Sequence, residues 1–150
     1  MVKGMKFVDA PSSNKIRWNG KDSGPAIALF PNLDKRENSV KMAYFYQRDR
    51  TFVNSMPLPD KLRVILSNPD VHCFCFGNHD SCAIKLRLSA NPIDFVIIFD
   101  LASHDAHVYS MSDELWVSGL NLIKDHVTPL AEQDLIKVCN RTFGFMKNFN

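Results

Sequence analysis

The stretch that decides the fold is Asp113–Ile123, Asp113-Glu114-Leu115-Trp116-Val117-Ser118-Gly119-Leu120-Asn121-Leu122-Ile123. Leu115, Trp116, Leu120 and Ile123 recur at helical spacing, which predicts an amphipathic helix over about 113–124. Ser112 is placed to cap it, and Asp113 and Glu114 fall in the first turn, where the helix dipole favours acids. Gly119 in mid-helix costs about 1 kcal/mol relative to alanine, so close approach to a neighbouring strand is its expected reason. Downstream, Thr128-Pro129 reads as a cap followed by proline at the first helical position, predicting a further helix over about 129–147. On that helix Leu135, Cys139, Phe143 and Met146 form one apolar stripe, with spacings of four, four and three.

Upstream of this segment the pattern is that of short strands. Ala26–Phe30 is an apolar run of strand length, and Val40–Gln47 holds three consecutive aromatics, Tyr44, Phe45 and Tyr46. Gly4–Val8, Lys15–Trp18 and Thr51–Val53 are shorter candidates. In Lys61–Leu66 the residues Leu62, Val64 and Leu66 alternate, which predicts a strand. Val71–Phe76 and Cys82–Leu88 flank a polar turn and read as a hairpin, and Phe95–Leu101 turns through Ser103–Asp105 into Ala106–Ser110. Strands over about 4–110 followed by helices predict an α+β layout in one domain, 1–150.

Composition sets further bounds. Of 150 residues 45% are apolar and eleven are phenylalanine, enough for a self-sufficient core. A formal net charge of +2 gives no general attraction to nucleic acid. No apolar run reaches the length of a membrane span, and Met1–Ala10 lacks the apolar stretch of a signal peptide. The expectation is a cytoplasmic protein with its four cysteines reduced.

The Trp-x-x-Gly-Leu-x-x-Ile pattern at 116–123 resembles the closing helix of pleckstrin-homology domains. Phosphoinositide phospholipases C and the engulfment-and-motility (ELMO) adaptors share this form. Pro57–Val64 and Thr128–Leu135 resemble ELMO segments as well. The resemblance implies a pleckstrin-homology-like antiparallel barrel capped by a C-terminal helix, with a further helix after it. Trp116, Leu120 and Ile123 would plug the barrel, and Leu135, Cys139, Phe143 and Met146 would face a partner. It also implies a non-catalytic adaptor that supports a DOCK-family exchange factor in Rac activation, cytoskeletal remodelling and phagocytosis, with recruitment to the plasma membrane.

Three other constellations carry chemistry. Lys6, Lys15 and Arg17 match a loose phosphoinositide pattern, because cations near a strand–strand loop can grip phosphates. This is the alternative function, a membrane-targeting lipid binder. His72, Cys73, Cys75, His79 and Cys82 lie within eleven residues and have zinc-ligand character, which gives a second alternative, a small zinc-binding protein. The plainer reading puts the cysteines on one buried strand face, with Phe74 and Phe76 on the other. His104, Asp105 and His107, and separately Asn78-His79-Asp80, sit in predicted turns, where Asp and Asn are common for backbone reasons; no catalytic residue and no cofactor is expected.

Overall fold

A computed structural model describes residues 5–9, 26–30, 41–45, 58–80 and 82–146. Its strands are β1 (Met5–Asp9), β2 (Ala26–Phe30), β3 (Lys41–Phe45), β4 (Val71–Gly77), β5 (Ile84–Lys85), β6 (Phe95–Asp100), β7 (Ala106–Ser110), β8 (Trp116–Val117), β9 (Leu120–Asn121), β10 (Val127–Leu130), β11 (Leu135–Val138) and β12 (Arg141–Met146). Among the described residues there is one helix, α1 (Asp60–Leu66).

The strands form two sheets. One runs β1-β3-β2-β12-β11-β8-β9 and the other β10-β7-β6-β4-β5. All pairings are antiparallel except β4 with β5. The sheets face each other across one apolar core. Ile27, Val117, Ile136, Val138, Phe143 and Phe145 come from the first sheet, and Phe74, Phe76, Phe95, Ile97, Phe99 and Val108 from the second. The architecture is therefore a β-sandwich.

The central strands of the second sheet are buried on both faces. Val71, Cys73 and Cys75 of β4, with Val96 and Ile98 of β6, make a second cluster under Leu62 and Leu66 of α1. Leu62 and Leu66 are four apart, one helical turn, while Val64 between them is 72% exposed. The predicted strand over Lys61–Leu66 is thus a helix: Leu62 and Leu66 satisfy both periods, and Pro59 at the cap position starts the turn. The cysteines lie on one face of β4 and Phe74 and Phe76 on the other, as the plainer reading has it.

The pleckstrin-homology-like barrel and its two helices are not found. Residues 113–124 contain a hairpin in which β8 pairs with β9, and residues 127–146 supply β10, β11 and β12. Leu115 and Val117 point into the core, so the period there is two. Ser118 and Gly119 take φ of 48° and 85°, the left-handed turn of a two-residue hairpin. Trp116, Leu120 and Ile123 are 43%, 63% and 67% exposed, so they plug nothing. A second two-residue turn, Cys139-Asn140 at φ of 50° and 60°, joins β11 to β12. It breaks the stripe of Leu135, Cys139, Phe143 and Met146: Leu135 is exposed, while Phe143 and Met146 are buried. The predicted hairpin of Val71–Phe76 with Cys82–Leu88 is also corrected. β5 is two residues long and parallel to β4, and Leu88 is exposed.

Truncation of Phe143 removes a core ring shared by both sheets. Phe143→Ala is expected to lower unfolding free energy by about 3–5 kcal/mol in urea denaturation. Val64→Ala, on the exposed face of α1, is expected to change it by less than about 0.5 kcal/mol.

Candidate functional site

Strand direction gathers five connections at one end of the sandwich. Among the described residues they are 78–80 with 82–83 after β4, 86–94 before β6, 111–115 after β7, 122–126 before β10, and the Cys139-Asn140 turn. The connection from β6 to β7, with His104 and Asp105, lies at the other end.

Close approach of backbones builds this end. A Cβ on Gly77 would lie 2.3 Å from the carbonyl oxygen of Pro92 and 2.6 Å from Cα of Ile93. Only glycine lets β4 run against the 86–94 connection. Main-chain hydrogen bonds then lock the two: the amides of Asn78 and His79 donate to the carbonyls of Asn91 and Pro92, both at 3.0 Å, and that of Leu86 donates to Gly77 at 2.7 Å.

Asp94 is the hub. Its amide donates to the carbonyl of Phe76 at 2.7 Å, and its own carbonyl accepts from the amide of Met111 at 2.9 Å. It thereby ties the 86–94 and 111–115 connections to β4. Its Oδ1 accepts from Nδ2 of Asn91 at 3.1 Å. Its Oδ2 is buried and has no hydrogen-bond partner among the described residues. The buried hydroxyl of Ser89 accepts from the amide of Asn91 at 3.0 Å. Ser110 donates its hydroxyl to the carbonyl of Ser112 at 2.7 Å, and Oγ of Ser112 accepts from the amide of Glu114 at 3.2 Å.

Two thiols border the hub. Burial, reinforced by the Asp94 carboxylate, pushes Cys82 up to about 11, although a backbone hydrogen bond at His79 opposes the rise. Burial also raises Cys139, with Asp94 and Glu114 adding to it and a hydrogen bond with the Ser89 hydroxyl opposing it. On β4, the hydrogen bond with Cys73 and then burial hold Cys75 well above the ordinary thiol range. Thiols with raised pKa carry little thiolate and are poor nucleophiles.

Charge at this end is mixed. Lys85 is bound to Asp80 at 2.6 Å, and this contact holds the exposed Asp80 carboxyl below its usual value. Arg87 is exposed, and Asp113 and Glu114 are exposed beside it in the set. Arg141 places its guanidinium 6.0 Å from the centre of the Phe143 ring.

The other sequence-derived candidates do not converge. His104 and Asp105 are at the opposite end from Asn78, His79 and Asp80, and His107 lies within β7. Among the described residues no group of three His, Cys, Asp or Glu is arranged to hold a metal ion, which removes the zinc reading there. Lys6 lies in β1, while Lys15 and Arg17 fall outside the described residues. No described helix is long and apolar enough to cross a membrane. Sequence reasoning missed Gly77, Asn91 and Asp94. The available signal was Gly77 itself, since glycine ending an apolar strand marks close backbone contact.

Gly77→Ala is expected to cost about 1–3 kcal/mol and to shift amide resonances of 89–94, because the Pro92 backbone must move. Gly119→Ala, at φ of 85° in open space, costs about 1 kcal/mol and leaves those resonances in place. Cys82 gives a pH test. Its folded pKa is raised above that of the unfolded thiol, so the stability it contributes is complete below about pH 9 and falls as pH rises through about 11. In urea denaturation, Cys82→Ala is expected to flatten the loss of stability between these values.

No protein-family model matches the chain, and no curated protein does. Solved structures do match its fold. One is the N-terminal FHA domain of S. cerevisiae Rad53p in complex with a phosphothreonine peptide, at 12% identity and a TM-score of 0.55, covering 83% of this chain and 94% of that one. Another is an engineered FHA domain with a Myc-pTBD peptide, at 13% identity and a TM-score of 0.54, covering 85% and 93%. A third is the FHA domain of CT664 from Chlamydia trachomatis, at 9% identity and a TM-score of 0.53, covering 85% and 100%. These neighbours overturn the expectation of an ELMO-type pleckstrin-homology domain, and with it the DOCK, Rac, phagocytosis and phosphoinositide roles. The fold of this chain is similar to that of FHA domains.

Proposed function

We propose that this chain is a non-catalytic protein-interaction module that binds a phosphothreonine-containing peptide of a partner protein across its loop end. The observation that carries this reading is the sandwich itself. It is similar, over 83% of the chain, to an FHA domain solved with such a peptide. The loop end suits the task because a network of main-chain bonds centred on Asp94 holds its connections rigidly, so little ordering is needed on binding. Arg87 and Lys124 are exposed cations of that end, and the Arg87 fork can grip two phosphate oxygens at once. Lys85 is already held by Asp80. The exposed amides of Asn78 and Asn91 add donors.

One observation favours a second reading, in which the peptide needs no phosphate. Asp113 and Glu114 are exposed at the same end. These negative charges oppose a phosphate dianion.

Matched peptide arrays, phosphorylated on threonine and unphosphorylated, separate the two. Phosphate-dependent capture that Arg87→Ala weakens about tenfold supports the first reading. Equal capture of both forms supports the second. If neither array yields binding that shifts resonances of 78–94, both readings are wrong.

A further inference from the structure

A second surface lies on the outer face of the first sheet, away from the loop end. Trp116 of β8 pairs with Lys137 of β11, and Lys137 pairs with Thr142 of β12. Their neighbours Val117, Ile136, Val138 and Phe143 fill the core, so these three side chains point outward. With Leu135, Ser118 and Gly119 they line a cleft of about 450 Å³. Thr142 is its buried floor, and Trp116 and Leu135 are half-exposed walls. It opens at Gly119, where nothing among the described residues lies within 4 Å of the Cβ position.

The polar inventory of this cleft is lopsided. The Ser118 hydroxyl is committed: it donates to Oδ1 of Asp134 at 2.8 Å and accepts from the amide of Leu135 at 3.2 Å. Oδ2 of Asp134 accepts from the amide of Ala131 at 2.7 Å, so both carboxylate oxygens of the nearest acid are engaged. Lys137 is exposed, and among the described residues no acid pairs with it. An apolar trough beside an uncommitted ammonium complements a ligand with an apolar body and one negative charge.

We infer that this cleft is a docking site for a segment of a partner protein that places an aromatic or large aliphatic side chain next to a carboxylate. A small molecule is a poorer fit, because binding pockets of that kind enclose most of their ligand and this cleft is open-sided. The aromatic group stacks on Trp116 against Leu135, and the carboxylate meets Lys137. The inference does not rest on the peptide reading of the loop end. The two surfaces are separate, and either can fail alone.

The test uses the full chain and two blocked peptides, one with a Gly-Phe-Glu-Phe-Gly core and one with Gly-Phe-Lys-Phe-Gly. Amide resonances are followed during titration. The Glu peptide is expected to shift 116, 118, 119, 135, 137 and 142 while leaving 78–94 unmoved, and to bind more weakly as salt is raised. Lys137→Glu is expected to weaken it by roughly three- to five-fold and to make the Lys peptide the better ligand. Trp116→Ala is expected to weaken both peptides. Both side chains are exposed, so these variants should keep native amide dispersion; if Trp116→Ala does not, Lys137→Glu alone decides. Absence of shifts at the cleft, or a preference that Lys137→Glu does not reverse, overturns the inference.

Discussion

The ring of Phe76 holds the molecule together. It stacks on Phe95 of the neighbouring strand, with centroids 4.3 Å apart and planes 8° from parallel. It also meets the edge of Phe143 from the facing sheet at 5.7 Å and 61°. Both are favoured geometries for aromatic pairs. One side chain thus sets the lateral register of β4 against β6 and the spacing between the sheets. Its carbonyl accepts from Asp94, and the next residue is Gly77, on which the Pro92 backbone rests. The stacked aromatic core therefore continues directly into the loop end.

That continuity explains why such a mixed set of polar residues can share so small a space. Buried polar groups are tolerated when they are bonded, and Ser89, Ser110 and Ser112 all are. Oδ2 of Asp94 is the exception. An unpaired oxygen in the middle of a bonded network is costly. It is retained at the point where two connections are tied to β4 by main-chain bonds.

How much of this was legible in the sequence depends on how local the signal is. Ala26–Phe30 and Ala106–Ser110 are strands with the predicted bounds, and Phe95–Asp100 differs by one residue; Ala26–Phe30 and Phe95–Phe99 are continuous apolar runs of strand length, and Ala106–Ser110 follows a short polar turn that sends it back along the second of them. Lys61–Leu66 failed because Leu62 and Leu66 satisfy a period of two and a period of four alike. Asp113–Ile123 failed for a different reason. Its hairpin turn is Ser118-Gly119 and the later one is Cys139-Asn140, neither of which carries the Asn-Gly or Asp-Gly mark. Without that punctuation, residues from both sides of a turn line up at helical spacing. The loop end was legible only through Gly77, since long-range main-chain bonds leave no local pattern.

The order of strands also bears on how the molecule is made. In the first sheet β12 lies between β2 and β11, and its register runs from Thr142 opposite Phe30 to Met146 opposite Ala26. These partners are more than a hundred positions apart along the chain. During synthesis β2 leaves the ribosome long before the strand that must sit beside it. Until residues 141–146 emerge, its open flank is exposed to other chains, and a nascent sheet in that condition is a natural client for chaperones. Closure of so large a loop also places this sandwich among slow folders. Its assembly is therefore gated by translation of its last described strand.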